Sequence, residues 1–202
     1  MKCKVQLMWL RDGAISLLEG IGGCNAVYLM DQEGQNERFI VGCAPVGQKD
    51  VPLPIDIFNE RLPFYPLAYT VDRASQISIA YADWSANDEY LAYTPDTGKA
   101  VDGIYLMTVT SGTTTVLSKT GLEPVWSPDS KYIAFISGAL YEDNQICVIN
   151  INTGSKKCTP RLEGKHGVPT WSPDSKWLVF VLSAKCTQQI YVMNIDSFRE
   201  VR

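Results

Sequence analysis

Four acidic side chains are the first candidates for chemistry: Asp96 and Asp102 in "PDTGKAVDG", and Glu142 and Asp143 in "GALYEDNQ". Carboxylates gathered from adjacent loops can hold a calcium ion, which takes oxygen ligands in flexible geometry. No EF-hand-like spacing accompanies them, so solvated loop tips are the simpler reading and no metal is assigned. Asp88, Asp129 and Asp174 recur just after tryptophans and read as turn-capping residues before they read as ligands. His166 is the only histidine. It leaves no second imidazole for a metal, and no G-x-S-x-G elbow recruits it into a serine triad. "EGIGG" at 19–23 looks like a nucleotide-binding turn, but the "CNAVYLMD" after it reads as a strand and not as a helix with an exposed amino end. It is read as a loop between strands. No catalytic residue and no cofactor are expected, and the chain reads as a non-enzyme.

The six cysteines include no CxxC pair, which argues against a zinc ribbon or a thioredoxin-like site. Cys24 and Cys43 flank "NAVYLMDQEGQNERFIVG", two strands about a Glu33–Gly34 turn that sets the two cysteines opposite each other. A disulfide across that hairpin is geometrically allowed, and two reduced, buried thiols fit equally well. Cys147 and Cys158 stand out of register about a Thr153–Gly154 turn, so no second bridge is expected.

These residues need elements to carry them. With 202 residues, 46% apolar and 20% charged, the chain is long and apolar enough for a substantial core. A net charge of -4 gives no electrostatic footprint for nucleic acid. No apolar run approaches the roughly 20 residues needed to span a bilayer, and the amino-terminal apolar stretch is too short for a signal-peptide core.

The organising feature is a repeat. Trp84, Trp126 and Trp171 open "WSANDEYLAYTP", "WSPDSKYIAFIS" and "WSPDSKWLVFVLS", 42 and 45 residues apart. Second apolar strands begin 20, 20 and 19 residues after each tryptophan, and a weaker copy begins at Trp9. Periods of 40 to 45 residues, each holding four short strands, are the mark of a β-propeller. The third unit is read as "LEPVW", "KYIAFIS", "QICVININ" and "SKKCTP". Pro128 with Asp129, and Pro173 with Asp174, suit a type I turn joining first strand to second. "YIAFI" and "WLVFV" do not alternate, which predicts second strands covered on both faces. Each tryptophan is expected to plug the space between adjacent blades.

The expected fold is all-β, a single propeller domain over 1–202 with four visible blades at 4–43, 77–118, 122–160 and 167–202. Residues 44–76 carry five prolines and form an inserted surface excursion.

"EPVWSPDSKYIAFISGALYEDNQICVININTGSKKCT" and "VPTWSPDSKWLVFVLSAKCTQQIYVMNIDSFREV" resemble the TolB-type β-propeller repeat, a WD40-like repeat whose hallmark is W-S-P-D-G-K followed by two apolar strands. Serine replaces the usual glycine at Ser130 and Ser175. The resemblance implies a binding module for a protein or peptide partner, in the cell envelope or outside the cell. Related propellers of hydrolases keep an enzyme or small-ligand sensor open as the alternative, with its site at the central channel. A regulatory propeller cut from a larger chain is a third. Family propellers commonly have six or more blades, so association with a partner is one way to complete the ring. The resemblance and the Cys24–Cys43 pairing favour a periplasmic or secreted location. The missing signal peptide favours the cytoplasm.

Overall fold

Seventeen strands are present in the computed structural model, which describes residues 6–10, 15–21, 24–31, 35, 38–42, 78–96, 103–139, 142–161, 164–184, 187–198 and 200–201. The first sheet runs β1 (Gln6–Trp9), β2 (Ile15–Ile21), β3 (Cys24–Met30), β4 (Arg38–Gly42). The second runs β5 (Ser78–Trp84), β6 (Tyr90–Asp96), β7 (Ile104–Thr108), β8 (Thr114–Ser118). The third runs β9 (Leu122–Trp126), β10 (Tyr132–Ala139), β11 (Glu142–Asn150), β12 (Lys156–Cys158). In the fourth, β13 (Lys165–His166) and β14 (Thr170–Trp171) both pair with β15 (Trp177–Ala184), followed by β16 (Thr187–Asn194) and β17 (Glu200–Val201). Every pairing is antiparallel. The architecture is an all-β, propeller-like stack of four-stranded blades.

The corner after Trp84, Trp126 and Trp171 is built by the serine that follows each of them. Ser127 N–H donates to Tyr132 O at 2.9 Å, and Ser127 Oγ accepts from Tyr132 N at 2.9 Å. Ser130 N–H donates to Ser127 O at 2.9 Å, which closes a turn with Pro128 at the position whose backbone angle proline pre-sets. Asp129 Oδ1 accepts from Ser127 Oγ and Lys131 N, and Asp174 does the same with Ser172 and Lys176. In the second sheet this role falls to Asn87, whose Oδ1 accepts from Glu89 N. Asp88 sits one place further on.

That next place is left-handed: φ is 60° at Asp88, 57° at Ser130 and 59° at Ser175. Glycine adopts it without cost, whereas another residue loses roughly 1–2 kcal/mol. The serines offset this with a bond to the preceding blade. Ser130 Oγ accepts from Asn87 N at 3.1 Å and Ser175 Oγ accepts from Asp129 N at 3.0 Å. Ser130→Ala keeps the strain and loses the bond, so a loss of about 1 kcal/mol is expected, while Ser130→Gly removes both and stays near native. Urea denaturation of the two variants checks this, and equal midpoints for Ala and Gly would sink it.

Three buried clusters knit the sheets in sequence. Trp84 joins residues of sheets one and two, Trp126 joins two and three, and Trp171 joins three and four. Each later indole stacks on the aromatic that opens the preceding blade's second strand: Tyr90 with Trp126 at 6.0 Å and Tyr132 with Trp171 at 6.1 Å between ring centroids. Ile133 to Ile136 are all buried, as expected of a strand covered on both faces. β15 differs from that expectation: Leu178, Phe180 and Leu182 are buried whereas Trp177 and Val179 are exposed, because no sheet lies beyond the fourth among the described residues.

Two cysteine expectations fare differently. Cys147 and Cys158 are joined in a disulfide and are direct cross-strand partners, contrary to expectation. The turn is centred on Asn152–Thr153, not Thr153–Gly154. Asn150 Oδ1 accepts from the amides of Asn152 and Thr153, and Gly154, at φ 69°, closes the turn by donating to Asn150 O. In the first sheet Leu29 faces Arg38 and Tyr28 faces Phe39, in the register of a Glu33–Gly34 turn, before a bulge shifts the pairing to Val27 with Val41. Cys43 and the segment 44–76 lie outside the described residues.

Candidate functional site

The tryptophan-bearing strands of sheets two, three and four pack side by side, β5 against β9 and β9 against β14, and their ends border one cavity open to solvent. Its volume is about 560 Å³, and all four sheets contribute: Leu10 from the first, Asp83 and Asp88 from the second, Val125 and Pro128 from the third, Thr170 from the fourth. Any ligand here meets short corners held by the serine and aspartate bonds described above. Hydroxyl and amide donors hold the corner carboxylates charged. At Asp129, burial is outweighed by the Ser127 hydroxyl and the Lys131 amide and side chain, and its pKa falls below the ordinary value. The Ser172 hydroxyl, followed by the Lys176 amide, does the same for Asp174.

Asp83 is the exception. It stands immediately before Trp84, half-buried, and its Oδ2 accepts from Trp126 N at 2.6 Å across the joint between blades two and three. Burial pushes its carboxyl up to about 7, with the Trp126 and Trp84 amides pulling the other way. The corresponding positions before the other tryptophans hold Met8, Val125 and Thr170, none of them ionisable. At the next joint Trp171 Nε1 donates to Val125 O at 3.0 Å, while the buried Trp126 Nε1 has no acceptor. The second joint thus substitutes a carboxylate-to-amide bond for the indole-to-carbonyl bond of the third.

Of the residues singled out from sequence, Trp84, Asp88, Trp126, Pro128 and Trp171 reach this cavity. Asp129 and Asp174 shape its corners, and Pro173 follows Ser172 in the fourth corner. Trp9 ends β1, opposite Ile15, and its side chain is outside the described residues. The calcium candidates are not brought together: Asp96 is exposed at the end of β6, Asp102 lies outside the described residues, and Glu142 and Asp143 open β11 with undescribed side chains. Among the described residues no three metal-capable side chains cluster. His166 is on β13 opposite Leu182, away from the cavity lining. Glu19, Gly20 and Ile21 are strand residues of β2 paired with β3, so most of "EGIGG" is sheet and not loop. The site residue missed from sequence is Asp83. Its signal was a lone carboxylate inside "SIAYADW" where the other repeats carry an apolar or hydroxyl side chain.

A family model described as the TolB beta propeller domain matches residues 100–202. Among solved structures, a putative TolB from Agrobacterium tumefaciens is 18% identical with a TM-score of 0.67, covering 98% of this chain and 64% of that one. TolB from Acinetobacter baumannii is 15% identical with a TM-score of 0.67, covering 98% and 42%. The β-propeller domain of the Trilobed protease from Pyrococcus furiosus is 10% identical with a TM-score of 0.57, covering 100% and 57%. The chain therefore spans less than two thirds of each of these structures. No curated protein matches the sequence.

Proposed function

The chain belongs to the TolB β-propeller domain family, and from that premise we propose that it is a non-enzymatic binding module that takes a protein or peptide partner at the open cavity. The carrying observation is the convergence of four blades on one open cavity whose carboxylates, Asp83 and Asp88, come from a single corner. A partner presenting a lysine, arginine or free amino terminus would supply a counter-charge that no described residue brings to Asp83. Desolvated ion pairs of this kind contribute more to orientation and specificity than to raw affinity.

The test is selection of a random peptide library on the native protein at pH 8. Enriched peptides are expected to carry a basic residue and to bind the Asp83→Asn variant at least tenfold more weakly. Enrichment without basic residues, or binding indifferent to Asp83→Asn, would move the site elsewhere.

One observation favours an enzyme at the same cavity as the second reading: a carboxyl with a pKa near 7 is matched to general acid–base work. Ser85 and Ser127 beside it have their hydroxyls committed to the corners, which favours the binding module. A regulatory propeller within a longer protein is compatible with the partial coverage of the relatives. The Cys147–Cys158 bridge supports an oxidising, extracytoplasmic location, where disulfides persist.

A further inference from the structure

The second, third and fourth blades leave their third strand by the same five-residue turn, and the fourth blade's copy holds a residue poorly suited to it. The turns are 108–112, 150–154 and 194–198, and in each the last amide donates to the first carbonyl, at 2.7, 2.9 and 2.8 Å. The last residue is left-handed in all three: Gly112 at φ 66°, Gly154 at 69° and Phe198 at 51°. Glycine adopts this conformation without cost, whereas a bulky side chain there is strained. Strain of this kind concentrates where a side chain has a functional task.

Phe198 helps to wall a cleft of about 220 Å³ between blades three and four. Val148 and Ile195, both buried, line it, and the exposed Lys157 and Asp196 bring opposite charges to it. Lys157 Nζ lies 5.6 Å from the Phe198 ring centroid and donates to the Asp196 carbonyl at a long 3.4 Å. Among the described residues no ion pair joins it to a carboxylate. The repeat shows that the joint itself does not need these groups. Lys157 faces Val148 across its ladder as Thr115 faces Leu106 in blade two, and Asp196 and Phe198 hold the turn positions of Asn152 and Gly154. The joint between blades two and three therefore closes with Thr115, Asn152 and Gly154, with no charge and no ring. We propose that the cleft between blades three and four binds a small apolar α-amino acid in its dipolar form. Its carboxylate meets Lys157, its ammonium meets Asp196, and its side chain covers Val148 and Ile195 beside the Phe198 ring. Two opposite charges that line one cleft without neutralising each other complement a ligand that carries both. The volume agrees, since a cavity of about 150 Å³ holds a benzene ring and the remainder suits a short dipolar tail.

The test is an NMR titration of the backbone amides at pH 7 with L-phenylalanine, 3-phenylpropionate and phenethylamine, the last two lacking the ammonium and the carboxylate respectively. L-phenylalanine is expected to shift the amides of the 150–154 and 194–198 turns, with a Kd of about 1 mM or tighter. Each of the other two compounds should bind about tenfold more weakly or worse, and so should L-phenylalanine to Lys157→Gln. Lys157 is exposed, so that variant keeps the native fold. Phe198→Gly installs the residue of the other two turns, and it should lose binding by about tenfold or more. Its Tm should be no lower than native, because relief of the backbone strain offsets the lost ring contacts. An absence of shifts at roughly 10 mM L-phenylalanine overturns the proposal. So does equal binding of the three compounds, which would leave an apolar crevice indifferent to charge, and so does native-like binding by Lys157→Gln or Phe198→Gly. These readouts are independent of peptide binding at the open cavity, whose lining shares no residue with this cleft.

Discussion

At pH 8 the Asp83→Asn variant is expected to be more stable than the native chain by as much as about 4 kcal/mol, which for a chain of this size raises Tm by about 10 °C. The sign follows from the raised pKa. In the unfolded chain the carboxyl titrates at its ordinary value of 3.8, and in the folded chain at about 7. Below pH 4 both states are protonated and the group contributes nothing. Between about pH 4 and pH 7 the folded state holds a proton that the unfolded state has released, so stability falls as pH rises. Above pH 7 the full cost of a half-buried carboxylate is present. Asparagine retains an oxygen for the Trp126 amide and has no charge to lose, so the variant should show no such slope. Thermal denaturation of both proteins at pH 4, 6 and 8 checks this. Parallel profiles would mean that Asp83 ionises normally. The same linkage connects stability to binding: a cationic partner lowers the folded pKa, so association near pH 6 should release a proton.

The second large effect is expected at Gly121, in the connection from β8 to β9. Its φ is +144°, and a Cβ placed there would lie 2.6 Å from Phe135 Cδ2 and 2.9 Å from Ile104 Cγ1. Phe135 and Ile104 are fully buried members of the cluster between blades two and three, so neither can swing into solvent to make room. Gly121→Ala combines a backbone angle that side chains rarely adopt with overpacking, and a loss of about 3 kcal/mol or more is expected. Urea denaturation measures it. Pairing the variant with Phe135→Leu should recover part of what the methyl group costs, since the clash is shared between the two sites. A change under 1 kcal/mol would show that the connection adjusts freely.

The repeat was legible because its information is local. Trp126, Ser127, Pro128 and Asp129 occupy consecutive positions, and the turn they form depends on little outside them. The departure of Ser130 from glycine was visible too, but its compensation was not, because the donor that repays it is Asn87 on another blade. Asp83 was missed for the same reason: "SIAYADW" reads as an ordinary strand, and what makes its carboxyl unusual is burial at a joint with a strand whose Trp126 lies 43 positions further along. The Cys147–Cys158 bridge was missed by a single step of register. The Asn150 side chain captures the next two free amides and moves the turn centre back by one residue, a side-chain effect that strand patterning does not encode. The exposed face of β15 was hidden as well, since an apolar strand reads the same whether or not a neighbour covers it.

The Cys147–Cys158 bridge bears on aggregation. The strand β12 is the outer edge of its sheet and only three residues long, the kind of edge that frays and exposes the backbone of its neighbour to strand addition by another molecule. Stapled to β11 and carrying the exposed Lys156 and Lys157, it is a poor template for cross-β growth. Reduction would release that rim. In oxidising surroundings the third blade's outer edge stays closed to amyloid-like addition.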